Sequence, residues 1–271
     1  MRFQVFIFLV VAWLMAIPAA PAETGPGWLS KGVQKSLTVF DGTAAKKRPD
    51  QEMDTRGKVT IRRISPQCFS DWNNDPTALP YFFYQLKLRT GDQFPCYVNN
   101  AGISLLGDEI FDYPIICFTS HYAFTFTDEE VQNLRKYVDR GGTLWLDDCV
   151  GSGPFMESVP VNVQRIAPGS EMKLMLRETP EFFDLFNMVY AFPRLPDLHK
   201  EQFNRPFQAA YVRGRPAIIF CPNDYGCRWE ISTPPTANNP LGDGAHGMVG
   251  DDQREPVYQF SINWLLYTLT H

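Results

Sequence analysis

The chain has 271 residues, with 25 Lys and Arg against 30 Asp and Glu, a formal net charge of -5. This acidic balance argues against a nucleic-acid partner, which needs a basic face to neutralise phosphates. The one basic cluster, Lys46-Lys47-Arg48, reads as a solvated linker.

The chain opens with a leader. Arg2 supplies a positive start, Phe3 to Ile17 is apolar apart from Gln4, and Ala20-Pro21-Ala22 offers small residues for cleavage after Ala22. The apolar run is about 15 residues, short of the roughly 20 that a membrane helix needs. Residues 1–22 are therefore expected to be a signal peptide, with the mature protein exported, periplasmic or extracellular, and carrying no transmembrane segment. Residues 23–56, rich in Gly, Pro, Lys, Thr and Asp, read as a flexible arm. Residues 57–271 suffice for a single α/β domain with a substantial core.

Within that domain Lys58–Ile64 alternates as a first strand. Ala78–Arg89 reads as a helix with Thr77 at its start, and Phe94–Asn99 as a short strand. Ile115–Thr119 is a continuous apolar run, the mark of a strand covered on both faces and hence of a parallel sheet. Thr127-Asp-Glu-Glu130 is a capping box, Val131, Leu134 and Val138 give one apolar face, and Gly141-Gly142 stops the helix. Thr143–Leu146 is the next strand, so the unit is a right-handed βαβ crossover. A helical piece follows around Phe155–Arg165, then a short helix opened by Pro180 and a surface excursion over 191–206. Phe207–Val212 and Arg215–Cys221 form a hairpin about Arg213-Gly214. Ser232–Asp252 reads as a flexible loop or lid, and Glu255–Leu269 as an amphipathic helix.

In an open α/β sheet ligands bind beyond the carboxyl ends of the strands. Three loops leave such ends: Ser120-His121-Tyr122, Asp147-Asp148-Cys149, and Asn223 to Cys227. His121, Tyr122, Asp147, Asp148, Asp224, Tyr225 and Trp229 are thus the candidate ligand-binding residues. A divalent metal on His121, Asp147 and Asp224 is one reading, since an imidazole and carboxylates can hold such an ion, although the spacing matches no short metal motif and carboxylates at strand ends more often cap the following helix or anchor a loop. A Cys149 nucleophile with His121 as base is another, weakened by the adjacent carboxylates, which raise the thiol pKa. Export permits disulfides, and Cys149 with Cys227, both at strand ends on one rim, is the favoured pair; Cys68 with Cys96 is a weaker one. Cys117 and Cys221 sit in apolar runs and read as buried free thiols. His199 and His246 read as solvated loop residues. No cofactor is otherwise implied.

The run FTSHYAFTFTDEEVQNLRKYVDRGGTLWLDDC, followed by Phe155, Pro168-Gly169, GRPAIIFCPNDYGCRWE and SINWLLYTLTH, resembles the bacterial domain-of-unknown-function family 4159 across roughly 57–271. The resemblance implies a three-layer, flavodoxin-like fold of the class I glutamine amidotransferase-like kind, a mainly parallel sheet with helices on both faces. It carries no established reaction. The amidotransferase triad does not transfer, because the chain has no Gly-x-Cys-x-Gly elbow with a downstream His-x-Glu. His121, Gly141, Gly142, Asp147, Asp148, Asp224 and Trp229 carry the family pattern. Its gene associations imply work in the cell envelope. The reading is an exported domain that binds a ligand or an envelope protein at the carboxyl-end crevice, with metal-assisted hydrolysis of an envelope substrate as the alternative.

Overall fold

A computed structural model describes residues 58–90, 94–151, 153–198, 204–236, 238–245 and 251–271, with side chains in the last stretch from Arg254 onward. The leader, the arm, His199 and His246 lie outside the described residues.

The fold is mixed α/β, built on a six-stranded sheet in the order β1-β2-β3-β6-β5-β4. The strands β1 (Ile61–Arg63), β2 (Ile115–Ser120), β3 (Thr143–Asp148) and β6 (Arg215–Cys221) run parallel. β5 (Gln208–Val212) and the two-residue β4 (Lys173–Leu174) close one edge antiparallel. Beyond β1 the chain segment around Cys96 and Ile103 adds two isolated parallel bridges, to Val59 and Ile64. The strand expected over Phe94–Asn99 is therefore reduced to the single bridge at Cys96.

Two cores sandwich the sheet. On one face Ile116, Phe118, Leu144, Leu146, Ile218 and Phe220 meet the helices α2 (Asp128–Asp139) and α3 (Pro154–Ile166). On the other, Ile115, Cys117, Trp145 and Ile219 meet α1 (Ala78–Thr90) and α5 (Asp251–Thr270), with the rings of Trp145 and Trp264 4.1 Å apart. Alternate residues of each parallel strand are thus claimed by opposite layers. That is why these strands read as unbroken apolar runs.

The local chemistry sets the boundaries. Thr127 Oγ1 accepts the Glu130 N–H while Glu130 Oε2 accepts the Thr127 N–H, so the expected capping box starts α2. The second Glu130 oxygen accepts the Gln67 N–H at 2.7 Å, which ties the loop after β1 to this helix. Gly141 ends the helix at φ +105, and Gly142 lies so close to the Tyr137 ring that a side chain would overlap it. Between β5 and β6, Arg213 and Gly214 both take positive φ, as a two-residue type I′ turn requires.

Three expectations change. Thr77 does not cap α1; its hydroxyl donates to the Ile231 carbonyl and accepts the Ile231 N–H, pinning β7 (Ile231–Thr233). β7 pairs with β8 (Asp243–Gly244), so the stretch read as a lid is partly a small ribbon packed on the body. There Tyr81 Oη donates to the Leu241 carbonyl, and the buried Arg254 donates to the carbonyls of Leu241 and Gly242. Finally, α1 and α5 bury far more than one face; Ala78 to Leu86 are all buried. Among the described residues no helix is long and apolar enough to cross a membrane.

Candidate metal centre

The carboxyl ends of β1, β2, β3 and β6 feed four loops into one region. The loop after β1 brings Asp71 and Asp75. Buried Arg63 on β1 holds it by donating to the carbonyls of Trp72, at 3.2 Å, and Asp75. The end of β2 brings His121, the end of β3 brings Asp147, Asp148 and Cys149, and β6 leads through Asp224 into the single-turn helix α4 (Tyr225–Trp229), which carries Cys227.

Ligand atoms from Asp75, Cys149, Asp224 and Cys227, all buried, lie within 4.8 Å of one another. Three of these residues form a closed triangle. The sulfurs of Cys149 and Cys227 are 3.7 Å apart, Cys227 Sγ is 3.3 Å from Asp75 Oδ1, and Cys149 Sγ is 3.9 Å from Asp75 Oδ2. His121 Nε2 stands 3.3 Å from Cys149 Sγ. Asp224 is in left-handed backbone geometry, φ 55 and ψ 52, a conformation that Asp tolerates and that clusters at functional sites. It caps α4 through the Cys227 N–H, while its Oδ2 is buried with no hydrogen-bond partner among the described residues.

The disulfide expected between Cys149 and Cys227 is not formed. Both thiols are free, and 3.7 Å is well beyond an S–S bond of about 2.05 Å. Cys68 and Cys96 are also free, and Cys117 and Cys221 are buried free thiols as read.

Electrostatics make the cluster unstable as a set of anions. The hydrogen bond shared with Cys227 lowers the Cys149 thiol, yet burial and the carboxylates Asp224, Asp75 and Asp147 carry it up to about 12. Cys227 is pushed up by the same shared hydrogen bond, by burial and by Asp224 and Asp75. Burial, then Asp147 and Asp75, hold Asp224 well above the usual carboxylate range, with Arg228 opposing. Two like charges about 4 Å apart at an effective dielectric of ~20 cost about 4 kcal/mol, so neighbouring groups here do not ionise together without a counter-charge.

Asp147 does different work. Its carboxylate accepts the N–H groups of Tyr225 at 3.2 Å and Gly226 at 2.6 Å, so it anchors α4 and stands outside the quartet. Burial drives it up to about 7 against hydrogen bonds from Cys221, Gly226 and Tyr225. Asp148 is not among the quartet; its Oδ1 accepts the Val150 N–H, and burial raises its pKa. Tyr225 and Trp229 are buried in the core, Tyr225 against Phe207 and Trp229 stacked on Phe82 with its Nε1 donating to Ser261, so neither lines the crevice. Tyr122 is exposed beside Phe69, with ring centroids 4.9 Å apart.

His121, Asp224, Cys149 and Cys227, all expected at strand ends, lie in one region, and they are joined there by Asp71 and Asp75, which were not expected. Both sit in a turn-rich loop without periodicity. The available signal is the carboxyl-end rule extended to the loop that leaves β1.

A family model described as Domain of unknown function (DUF4159) matches residues 60–269. The chain belongs to that family. No curated protein matches the sequence. The DUF4159 match spans all six strands of the sheet and every donor of the cluster, so the centre lies inside the family's domain.

Proposed function

We propose that this DUF4159 chain is an exported metal-binding domain, and that the ligand at its carboxyl-end crevice is a divalent ion of the zinc class held by Cys149, Cys227, Asp75 and Asp224. The observation that carries the reading is the set of donor separations around the two sulfurs. Zinc binds thiolate at about 2.3 Å and carboxylate at about 2.0–2.2 Å, so tetrahedral edges are about 3.8 Å for S···S and about 3.5–3.7 Å for S···O. The sulfur separation of 3.7 Å matches such an S···S edge, and each sulfur lies within a few tenths of an ångström of an S···O edge from a carboxylate oxygen of Asp75, Cys227 at 3.3 Å from Oδ1 and Cys149 at 3.9 Å from Oδ2. Two thiolates select a borderline-soft ion over calcium or magnesium, which take oxygen ligands. The ion also supplies the counter-charge that the buried thiols and carboxyls lack, binding with release of the thiol protons.

The position of the cluster supports a flavodoxin-like reading of the fold. With the bridged segment at Cys96–Ile103 counted as the second strand, the parallel order reads 2-1-3-4-5, and the donors leave the carboxyl ends of β1, β3 and β6, the side of the sheet on which such folds bind ligands. Likeness to class I glutamine amidotransferase-like domains, and a periplasmic or extracellular location, belong to the same proposal; the leader supports the second. A hydrolytic role is not part of it.

The test is zinc titration of chelator-stripped, reduced protein against a chromophoric competitor. One zinc per chain is expected, lost in Cys149→Ser with Cys227→Ser. Wild-type protein that takes up no stoichiometric metal, or a double variant that keeps it, overturns the reading.

A further inference from the structure

His121 differs from the four donors of the quartet in one respect. They are buried, whereas its side chain is 45% exposed. It stands at the outer edge of the centre, with Nε2 3.3 Å from Cys149 Sγ, and outside the mutually close set. Sealed structural zinc sites enclose every ligand, while sites that exchange ligands keep one position open to solution.

The imidazole is held from behind. Asp71 Oδ2 lies 2.5 Å from His121 Nδ1, and Asp71 Oδ1 accepts both the Ser120 hydroxyl at 2.7 Å and the His121 N–H at 2.9 Å. Burial raises the Asp71 carboxyl, but its hydrogen bonds with Ser120 and with the backbone and ring of His121 outweigh that and leave it below the ordinary value. A carboxylate on Nδ1 fixes that nitrogen as the protonated one. The Nε2 lone pair is then directed toward the centre, as in carboxylate–histidine–metal arrangements.

We infer that His121 is an exchangeable outer ligand of the metal, positioned by Asp71, and that a small neutral nitrogen donor of the imidazole type from solution takes its place when the side chain is absent or released. The inference rests on the metal reading above. The donor class follows from charge: two thiolates and two carboxylates around a divalent ion leave the centre net negative, so a neutral donor is favoured over an anion.

Cobalt(II)-loaded protein gives the test, because its visible bands report the ligand set without any assay of activity. His121→Ala is expected to take up one cobalt with altered bands, and imidazole is expected to restore the wild-type bands saturably while azide leaves them unchanged. His121→Gln serves the same comparison if the alanine variant is unstable. Asp71→Asn is expected to keep one cobalt and to bind imidazole about ten-fold more tightly or better, because its hold on the competing side chain is weakened. Bands unaltered by loss of His121, bands inert to imidazole, or azide binding as well as imidazole would each overturn the inference while one cobalt per chain leaves the metal site standing. Absence of cobalt from the wild-type protein overturns both.

Discussion

Gly226 is the tightest point of the centre, and Gly226→Ala tests the geometry without touching a ligand. A Cβ there would stand 2.7 Å from Asp75 Oδ2 and 3.3 Å from Asp147 Oδ2. Carbon contacts are comfortable at about 3.5 Å, so the Asp75 carboxylate must retreat by roughly half an ångström or more. Its backbone gives little room, because Arg63 holds the Asp75 carbonyl and the Ala78 N–H donates to the same oxygen at 3.2 Å. The residue lies in α4 without a positive φ, where alanine gains up to about 1 kcal/mol of helix propensity. Overpacking costs about 1–3 kcal/mol, so the metal-free protein should lose no more than about 2 kcal/mol. The larger effect falls on the metal, where displacement of an orienting contact costs about 10–100-fold in affinity. At about 1.4 kcal/mol per ten-fold and about 2–4 °C per kcal/mol, the Tm gap between zinc-loaded and metal-free protein should shrink by about 3–11 °C. Competition titration and paired thermal scans read both quantities. Wild-type zinc affinity and an unchanged gap in Gly226→Ala would refute the placement of Asp75 in the centre.

Three further changes test the frame that carries the site. Thr127→Ala removes the cap of α2 and should cost about 1 kcal/mol in urea unfolding; an unshifted midpoint would show that the capping box is idle. Gly142→Ala sets a Cβ within 2.3–2.5 Å of Tyr137 ring atoms, and the ring is held by hydroxyl donation to the Tyr113 and Thr143 carbonyls. A loss of about 1–3 kcal/mol is expected by denaturant titration, and none at all contradicts the packing. Asn263 accepts the N–H groups of Val189 and Tyr190 and donates to the Tyr190 carbonyl, so Asn263→Ala should cost about 2 kcal/mol and speed proteolytic cutting over 187–198. Cutting at the wild-type rate would mean that this segment is held elsewhere.

What could be read from the residues was what local rules govern. The capping box at Thr127, the glycine stop at Gly141, the positive-φ turn at Arg213-Gly214 and the doubly covered run at Ile115 each follow from nearest-neighbour chemistry, and each is present. The helices α1 and α5 were harder to read by face, because rows of residues buried all round erase the 3.6-residue period. The site was readable in half. His121, Cys149, Asp224 and Cys227 sit at strand ends, where the carboxyl-end rule points, and the rule does not distinguish a disulfide from two metal thiolates. Asp75 is brought in through Arg63, 12 positions away, and Asp71 through Ser120 and His121, 49 and 50 positions away in the chain. Asp147 reads as a ligand beside Cys149, but strand alternation and the N–H groups of α4 claim it.

X-ray absorption at the metal edge of the zinc-loaded, reduced protein tests the central claim most directly. The account predicts two sulfur scatterers at about 2.3 Å with two or three oxygen or nitrogen scatterers at about 2.0–2.2 Å, and loss of the sulfur shell in Cys149→Ser with Cys227→Ser. A first shell made of oxygen and nitrogen alone in the wild-type protein would contradict it.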